Sequence, residues 1–301
     1  MSLPGPGGSH ATRLALVALA FSLVISFTAC GSSSTGPSDP PPPPPANALP
    51  VVTSILVKGT LSREPSQYAT LGETVNVTAT VTDAETPVAQ LTYEWSSTVG
   101  GTFGGNAATT TWTAPATLTG TAPVNATLTL TVTERVDATR NNRVTATSVV
   151  DLHNSPREVG DLAVLFLEDF SKQLPVDNVM RNFTTTCPEA EAERADVAKS
   201  NADFEIQRYF VDSKHSTTVP FAGTCPFIGR APHGDACALI PVSWTARNRS
   251  NGVVGTTSGM DQVTALLENG VWKLCASDYN QLTATGDRGL ATLMSRPHSP
   301  R

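Results

Sequence analysis

Apolar and polar side chains alternate with a period of two through much of residues 51–153. The clearest run is TVNVTATVT at 74–82, where valine and alanine alternate with threonine and asparagine. The same alternation occurs in LTYEW at 91–95, ATLTLTVT at 126–133 and VTATSVV at 144–150. A period of two with one apolar face is typical of half-buried strands, and glycine-rich turns separate these runs. About seven short strands of this kind predict an all-β sandwich.

Helical periodicity begins after residue 154. The segment SPREVGDLAVLFLEDF at 155–170 carries apolar residues at helical spacing. Ser155, Pro156 and Glu158 predict the start of this helix, with Ser155 as the N-cap and Glu158 completing a capping box. A shorter helix follows, and the solvated segment EAEAERADVAKSN at 189–201 predicts a third.

Long strands follow the predicted helices. Apolar runs at 203–211 and 236–248 predict two of them, and Pro241 in the second indicates an edge strand or a bulge. Two Asn-Gly pairs, at 251–252 and 269–270, predict hairpin turns into two further strands. Helices followed by an antiparallel meander predict an α+β domain in which the helices pack on a curved antiparallel sheet.

The amino terminus has a different pattern. An apolar run, LALVALAFSLVISF at 14–27, follows Arg13 and is shorter than the roughly 20 residues of a spanning helix, as in a secretory signal. Thr28 and Ala29 then precede Cys30. The next segment, GSSSTGPSD followed by six prolines, predicts a flexible stretch joined to a stiff polyproline II rod.

The sequence around FTAC resembles a bacterial lipoprotein precursor, although Phe27 replaces the usual leucine of that motif. The resemblance implies that Cys30 becomes the mature amino terminus and carries acyl chains, so that its partner is a lipid bilayer. Gly31 stands where an aspartate retains lipoproteins in the inner membrane, which implies export to the cell envelope with the outer membrane favoured. The alternatives are an ordinary secretory signal and, for the prolines, a docking motif.

The pattern divides the chain into five parts. We expect a lipoprotein signal peptide at 1–29, a lipidated cysteine and linker at 30–50, a β-sandwich at 51–153, an α+β domain at 154–280 and a flexible tail at 281–301.

Two further resemblances concern the folded parts. LTYEWSSTVGGTF, TTTWTAP and ATLTLTVTE are similar to bacterial immunoglobulin-like and PKD-like modules, which implies a spacer or adhesion unit with Trp95 in its core. Acidic loop residues there leave calcium binding between domains as an alternative. The order of helices and strands in 154–280, with VWKLC near its end, resembles the cone-shaped fold of the nuclear-transport-factor-2 superfamily.

Charge and composition exclude some functions. The 301-residue chain has a net charge of −6, a pI near 5.4 and an ordinary mean hydropathy of −0.08. Since no basic stripe is present, we expect no nucleic-acid partner.

The remaining cysteines predict two disulfides, as export places them in an oxidising compartment. The predicted turns place Cys275 opposite about Thr264 and Cys237 opposite about Leu266, so the two flank one strand at roughly 10 Å. A disulfide needs less than about 7 Å, so these two are not expected to bond. We favour Cys225–Cys237 with Cys187–Cys275, and the alternative is Cys187–Cys237 with Cys225–Cys275.

No metal or cofactor is expected. Zinc at the cysteines with His215 and His233 is a rival interpretation, but no CxxC spacing supports it. No nucleophile motif or phosphate-binding loop occurs either. The sequence therefore favours a non-catalytic envelope lipoprotein with a spacer and a domain that binds a protein or small molecule.

The alternative is a small-molecule carrier or an enzyme. Relatives with the cone fold include isomerases and dehydratases that use Asp, His or Tyr inside the cone, which implies Asp261 and Tyr209 as weak catalytic candidates. Whether these two side chains point into one closed apolar cavity separates the two hypotheses.

Overall fold

A computed structural model describes residues 46–219 and 234–285, with the backbone alone for 280–285. The N-terminal part, residues 51–153, consists of strands that form two four-stranded sheets, ordered β1-β3-β6-β5 and β2-β8-β7-β4. All pairs are antiparallel except β2–β8, which is parallel. The strands are β1 (Val51–Lys58), β2 (Tyr68–Thr70), β3 (Thr74–Thr82), β4 (Thr92–Ser97), β5 (Thr102–Phe103), β6 (Thr109–Thr113), β7 (Val124–Arg135) and β8 (Asn141–His153).

The alternating pattern explains the core of this part. In β3 every second residue is buried, and the buried side chains of both sheets form one cluster. Trp95 and Trp112 lie in that cluster, and each indole N–H donates to a backbone carbonyl, of Ala107 and Gly100 respectively. The tryptophans therefore bury their rings without leaving a donor unpaired.

Gln67 connects the two sheets. Its backbone adopts a left-handed φ of 63°, and its side-chain amide accepts from Val57 N at 2.8 Å and donates to Ile55 O at 2.8 Å. The same nitrogen lies 2.6 Å from Ser148 Oγ on β8. One side chain thus joins β1 in the first sheet to β8 in the second.

The C-terminal part places three helices before a five-stranded antiparallel sheet of order β10-β11-β12-β13, with β9 also paired to β11. Its elements are α1 (Ser155–Ser171), α2 (Val176–Val179), α3 (Ala190–Asp203), β9 (Phe204–Val211), β10 (Ser216–Thr218), β11 (Ala236–Asn248), β12 (Val254–Glu268) and β13 (Val271–Thr285).

Trp244 is central to the second core. It is 1% exposed and packs edge-to-face on Phe170 of α1 and Tyr279 of β13, with ring centroids 5.9 and 5.1 Å away. Its Nε1–H donates to Ser171 Oγ at 2.7 Å. The helix α1 is therefore fixed to the sheet by apolar packing and by one buried hydrogen bond.

The structure corrects three local predictions. The N-cap of α1 is Asn154 rather than Ser155, since Asn154 Oδ1 accepts from Arg157 N while Glu158 accepts from Asn154 N. β11 is neither an edge strand nor bulged at Pro241, because that residue lies where the partner of β11 changes from β10 to β9. The missing N–H of proline is tolerated at this change of partner.

The third correction concerns strand register. Cys237 pairs with Thr264, two residues from the expected Leu266, because the first hairpin has a four-residue turn closed by Asn248 and Val253. The second hairpin has the predicted two-residue turn, with φ of 52° at Asn269 and 80° at Gly270. Both values are positive, as a type I′ turn requires.

The folded unit begins at Asn47, inside the segment assigned to the linker. Asn47 donates to Glu134 at 2.7 Å, and Asn142 donates to Ala48 O at 3.2 Å. The last residues before β1 are thus held against the first part. None of the helices in the described ranges is both long and apolar enough to cross a membrane.

Candidate functional site

The two catalytic candidates do not share a cavity. Tyr209 on β9 is 42% exposed, so it is neither a core residue nor part of an enclosed site. Asp261 on β12 is buried and accepts a hydrogen bond from Ser277 Oγ at 2.7 Å. These two side chains therefore do not point into one closed cavity.

The cavity beside Asp261 is small. It has a volume of about 30 Å³ and is bordered by aromatic side chains, Ser277 and Glu193. Glu193 accepts from Ser277 N at 3.2 Å, so both buried carboxylates contact the same serine. A volume of this size holds about one water molecule, whereas small-molecule sites typically span roughly 300–1,000 Å³.

The cysteines lie in two groups. Cys187 and Cys275 form a disulfide with Cα atoms 5.5 Å apart, so Cys275 is not joined to Cys237 and the alternative pairing does not occur. Cys275 occupies a bulge of β13 opposite Thr264 and Ala265. Cys237 is itself disulfide-bonded, whereas the favoured partner Cys225 and the lipidation candidate Cys30 lie outside the described residues.

The disulfide also bears on metal binding. Within the described ranges, the one group of three potential ligands is Cys187, Glu189 and Cys275. Glu189 Oε2 lies 3.1 Å from Sγ of Cys187 and 3.7 Å from Sγ of Cys275. Because the two sulfurs are bonded to each other, neither is a thiolate that could bind zinc.

A larger recess lies where the two parts meet. We name it the junction cleft; it is open to solvent, and its volume is about 530 Å³. Seven residues line it: Arg63, Thr186, Pro188, Leu266, Leu267, Glu268 and Asn269. Arg63 belongs to the loop after β1, Thr186 and Pro188 lie in the segment before α3, and the other four residues lie at the end of β12 and in its turn to β13.

An ion pair joins the loop after β1 to the residue that precedes β11. Arg63 Nη1 lies 3.1 Å from Asp235 Oδ1, and the other oxygen of Asp235 accepts from Leu267 N at 3.0 Å. Asp235 is largely buried while Arg63 is half-exposed. The charge of Arg63 is thus matched by Asp235, and the aspartate is fixed by the backbone of β12.

Glu268 is the second carboxylate at the cleft. The hydroxyls of Thr184 and Thr186 both donate to its Oε1 at 2.5 Å. These hydrogen bonds, with smaller contributions from Lys273 and Arg63, hold the pKa of Glu268 below its usual value. Glu268 is therefore an oriented anion at neutral pH.

Two carboxyl groups, those of Glu64 and Glu73, interact with each other at the loop after β1. Burial, followed by the negative charge of Glu73, raises the pKa of Glu64 to about 8. Glu73 accepts from Thr60 N at 3.2 Å and from Thr70 N at 3.0 Å, whereas Glu64 accepts from Leu61 N at 3.2 Å. Because burial disfavours its charged form, Glu64 is largely protonated at neutral pH.

His153 is the last residue of β8, where the N-terminal part leads into the C-terminal part. Its Nδ1 lies 3.0 Å from the carboxylate of Glu158, its Nε2 lies 3.0 Å from Asp151, and its ring stacks on Tyr68 at 4.6 Å. Burial alone lowers the pKa of His153, but the two carboxylates outweigh it, so the pKa lies above its ordinary 6.5.

The arrangement around His153 predicts a pH dependence of stability. A histidine with a raised pKa makes its full contribution to stability below pH 6.5, its ordinary pKa. That contribution disappears as pH rises through the folded-state pKa. We expect the stability advantage of wild type over His153→Gln, measured by urea unfolding, to shrink over that window.

The raised pKa of Glu64 changes stability in the same direction, because a carboxyl whose pKa is raised by folding also lowers the free energy of unfolding as pH rises. His153→Gln retains Glu64, so the difference between the two proteins isolates the histidine. An advantage that stays constant across the window would contradict the ion-pair assignment.

Arg63, Glu268 and His153 were not selected from the sequence. Each is a common charged or polar residue in a loop or at a strand end, and no motif surrounds it. The Asn269-Gly270 turn was the one available signal, since it places Glu268 at the end of a hairpin.

Comparisons with known protein families, with curated proteins and with solved structures found no match to this chain.

Proposed function

We propose that this chain is a bacterial envelope lipoprotein, anchored by an acylated Cys30, whose folded part acts as a spacer and a binding body. The observation that carries the proposal is Cys30 itself, which ends a signal-like apolar run and begins a linker of small residues and prolines. Several acyl chains, at roughly 0.8 kcal/mol per buried methylene, hold a protein durably on a bilayer.

The Cys187–Cys275 disulfide supports export, because such bonds persist mainly in oxidising compartments. The start of the folded unit at Asn47 leaves the segment from residue 31 to residue 46 as the tether. If its six prolines adopt polyproline II, they span roughly 19 Å at about 3.1 Å per residue. We propose that such a rod keeps the folded part away from the headgroups.

We further propose that the N-terminal part is an immunoglobulin-like module. Its first sheet has the A-B-E-D order of that fold, and β4, β7 and β8 correspond to C, F and G of the second. Buried Trp95 on β4 corresponds to the core tryptophan of strand C. Such modules commonly serve as spacers or weak adhesion units, which fits a tethered protein.

For the C-terminal part, three helices followed by an antiparallel meander support the proposed resemblance to the nuclear-transport-factor-2 cone. Among the described residues of its core, the cavity beside Asp261 measures about 30 Å³, which argues against a ligand at that place. The junction cleft offers more room, so we place the binding function there.

Acylation is tested by labelling cells with a palmitate analogue. We expect wild type and the linker variant Ser32→Ala to take up label and to fractionate with membranes. Cys30→Ala is expected to lose the label completely, because the thioether cannot form. If Cys30→Ala loses the label but still fractionates with membranes, acylation is not what places the protein at the membrane. An unlabelled wild type with a free thiol at residue 30, measured by intact mass, would overturn the proposal.

A further inference from the structure

Glu268 forms no close ion pair with any residue that the structure describes. Among the residues that the structure describes, no lysine or arginine nitrogen lies within 4.0 Å of its carboxylate, and Arg63 is paired with Asp235. Two threonine hydroxyls hold Oε1, while no described group hydrogen-bonds Oε2. Lys273 and Arg63 act on Glu268 only through longer-range attraction. The cleft thus presents an oriented carboxylate with one oxygen open to a ligand.

The walls restrict the kind of cation that fits. Pro188 is the exposed apolar residue among those that line the cleft, whereas Leu266 and Leu267 are 3% and 0% exposed. The ring of Pro188 beside Glu268 suits a cation with an aliphatic chain. Calcium and magnesium need about six oxygen ligands, and no group of three carboxylates, cysteines or histidines occurs at the cleft in the described ranges. A bare metal ion is therefore a poor match.

The hydrogen bonds to Glu268 also distinguish ammonium from guanidinium. A guanidinium binds a carboxylate best through both oxygens at once, in a planar fork. Because Oε1 already accepts from Thr184 and Thr186, only Oε2 remains for a ligand. One remaining acceptor suits the compact point charge of an ammonium group.

We propose that the junction cleft binds a primary ammonium group on an aliphatic chain, with Glu268 as its counterion and Pro188 against its methylenes. Two sources share this chemistry: the lysine side chain of a peptide, and a free alkylamine. The inference rests on the proposed binding function of the folded part but not on acylation of Cys30.

Calorimetric titration of the full chain tests the inference. N-acetyl-lysine methylamide represents the peptide source, n-butylamine the free amine, and N-acetyl-norleucine methylamide is the neutral analogue. We expect an amine to bind wild type while the neutral analogue does not. Stronger binding of the lysine derivative identifies a peptide source, and stronger binding of butylamine identifies a free amine.

Glu268→Gln is expected to weaken amine binding about tenfold or more, since a hydrogen bond to a charged group is lost while the shape is kept. Glu191→Gln is the matched control, because Glu191 is an exposed glutamate of α3 outside the cleft and its replacement changes the net charge equally. We expect this variant to bind as wild type does.

A second variant keeps the charge. Thr186→Val removes one hydroxyl that lowers the pKa of Glu268, so binding should be lost at a higher pH on acidification than in wild type. The inference fails if neither amine binds, if the neutral analogue binds equally, or if both glutamate variants have the same effect. If the protein binds an amine but carries no acyl chains, only the proposed lipid anchor is wrong. If it is acylated but binds no amine, only the inference about the cleft is wrong.

Discussion

Removal of the Cys187–Cys275 disulfide is expected to lower the free energy of unfolding by about 4–5 kcal/mol. The bond closes a loop with a sequence separation of 88, and loop closure of about this length removes that much conformational entropy from the unfolded chain. It joins the segment before α3 to β13, the last strand of the sheet. Urea unfolding of Cys187→Ala/Cys275→Ala against wild type measures the effect.

The single variant Cys187→Ala provides the control. It also breaks the bond but retains the second sulfur, so its loss should nearly equal that of the double variant. Alanine is preferable to serine because both cysteines are buried, and a buried hydroxyl adds its own cost. A loss below about 1 kcal/mol in the double variant would show that the bond contributes little to the fold.

Trp244→Ala should destabilise the protein by about 3–5 kcal/mol, the usual cost of deleting a large buried aromatic side chain. The replacement leaves a cavity between α1, β11 and β13 and removes the hydrogen bond to Ser171. Thermal and urea unfolding followed by circular dichroism measure the loss. Trp244→Phe keeps much of the ring volume, so it should cost less.

Tyr209→Ala is the matched control for Trp244. The two residues are direct cross-strand neighbours on β9 and β11, but Tyr209 is 42% exposed and Trp244 is 1% exposed. Deletion of the exposed ring should therefore cost about 1 kcal/mol or less. Equal losses in the two variants would mean that Trp244 does not fix α1 to the sheet.

Strand positions in the C-terminal part were predictable because alternation and turn chemistry are local properties. The predicted strand at 236–248 coincides with β11, and the two-residue turn at Asn269-Gly270 is as expected. The predicted register of the first hairpin was wrong by two residues, because Asn251-Gly252 forms the second half of a four-residue turn. Sequence alone does not distinguish these two loop lengths.

The candidate site was largely unpredictable. Asp261 was identified as a polar residue on a strand, but its burial beside a cavity of only 30 Å³ depends on how the aromatic side chains pack. Tyr209 lies on a strand as expected, yet it sits toward solvent at the edge of the sheet. Exposure at a sheet edge follows from strand order, which has no local signal.

By itself the sequence determined the threonine-rich strands and the turn residues, because each depends on composition or on spacing within a few positions. Only the tertiary structure decided that Arg63 meets Asp235 across a separation of 172 residues and that Glu268 faces the same cleft. Contacts of that range depend on which sheets pack together and in which register, and one shift of register moves every side chain of a strand.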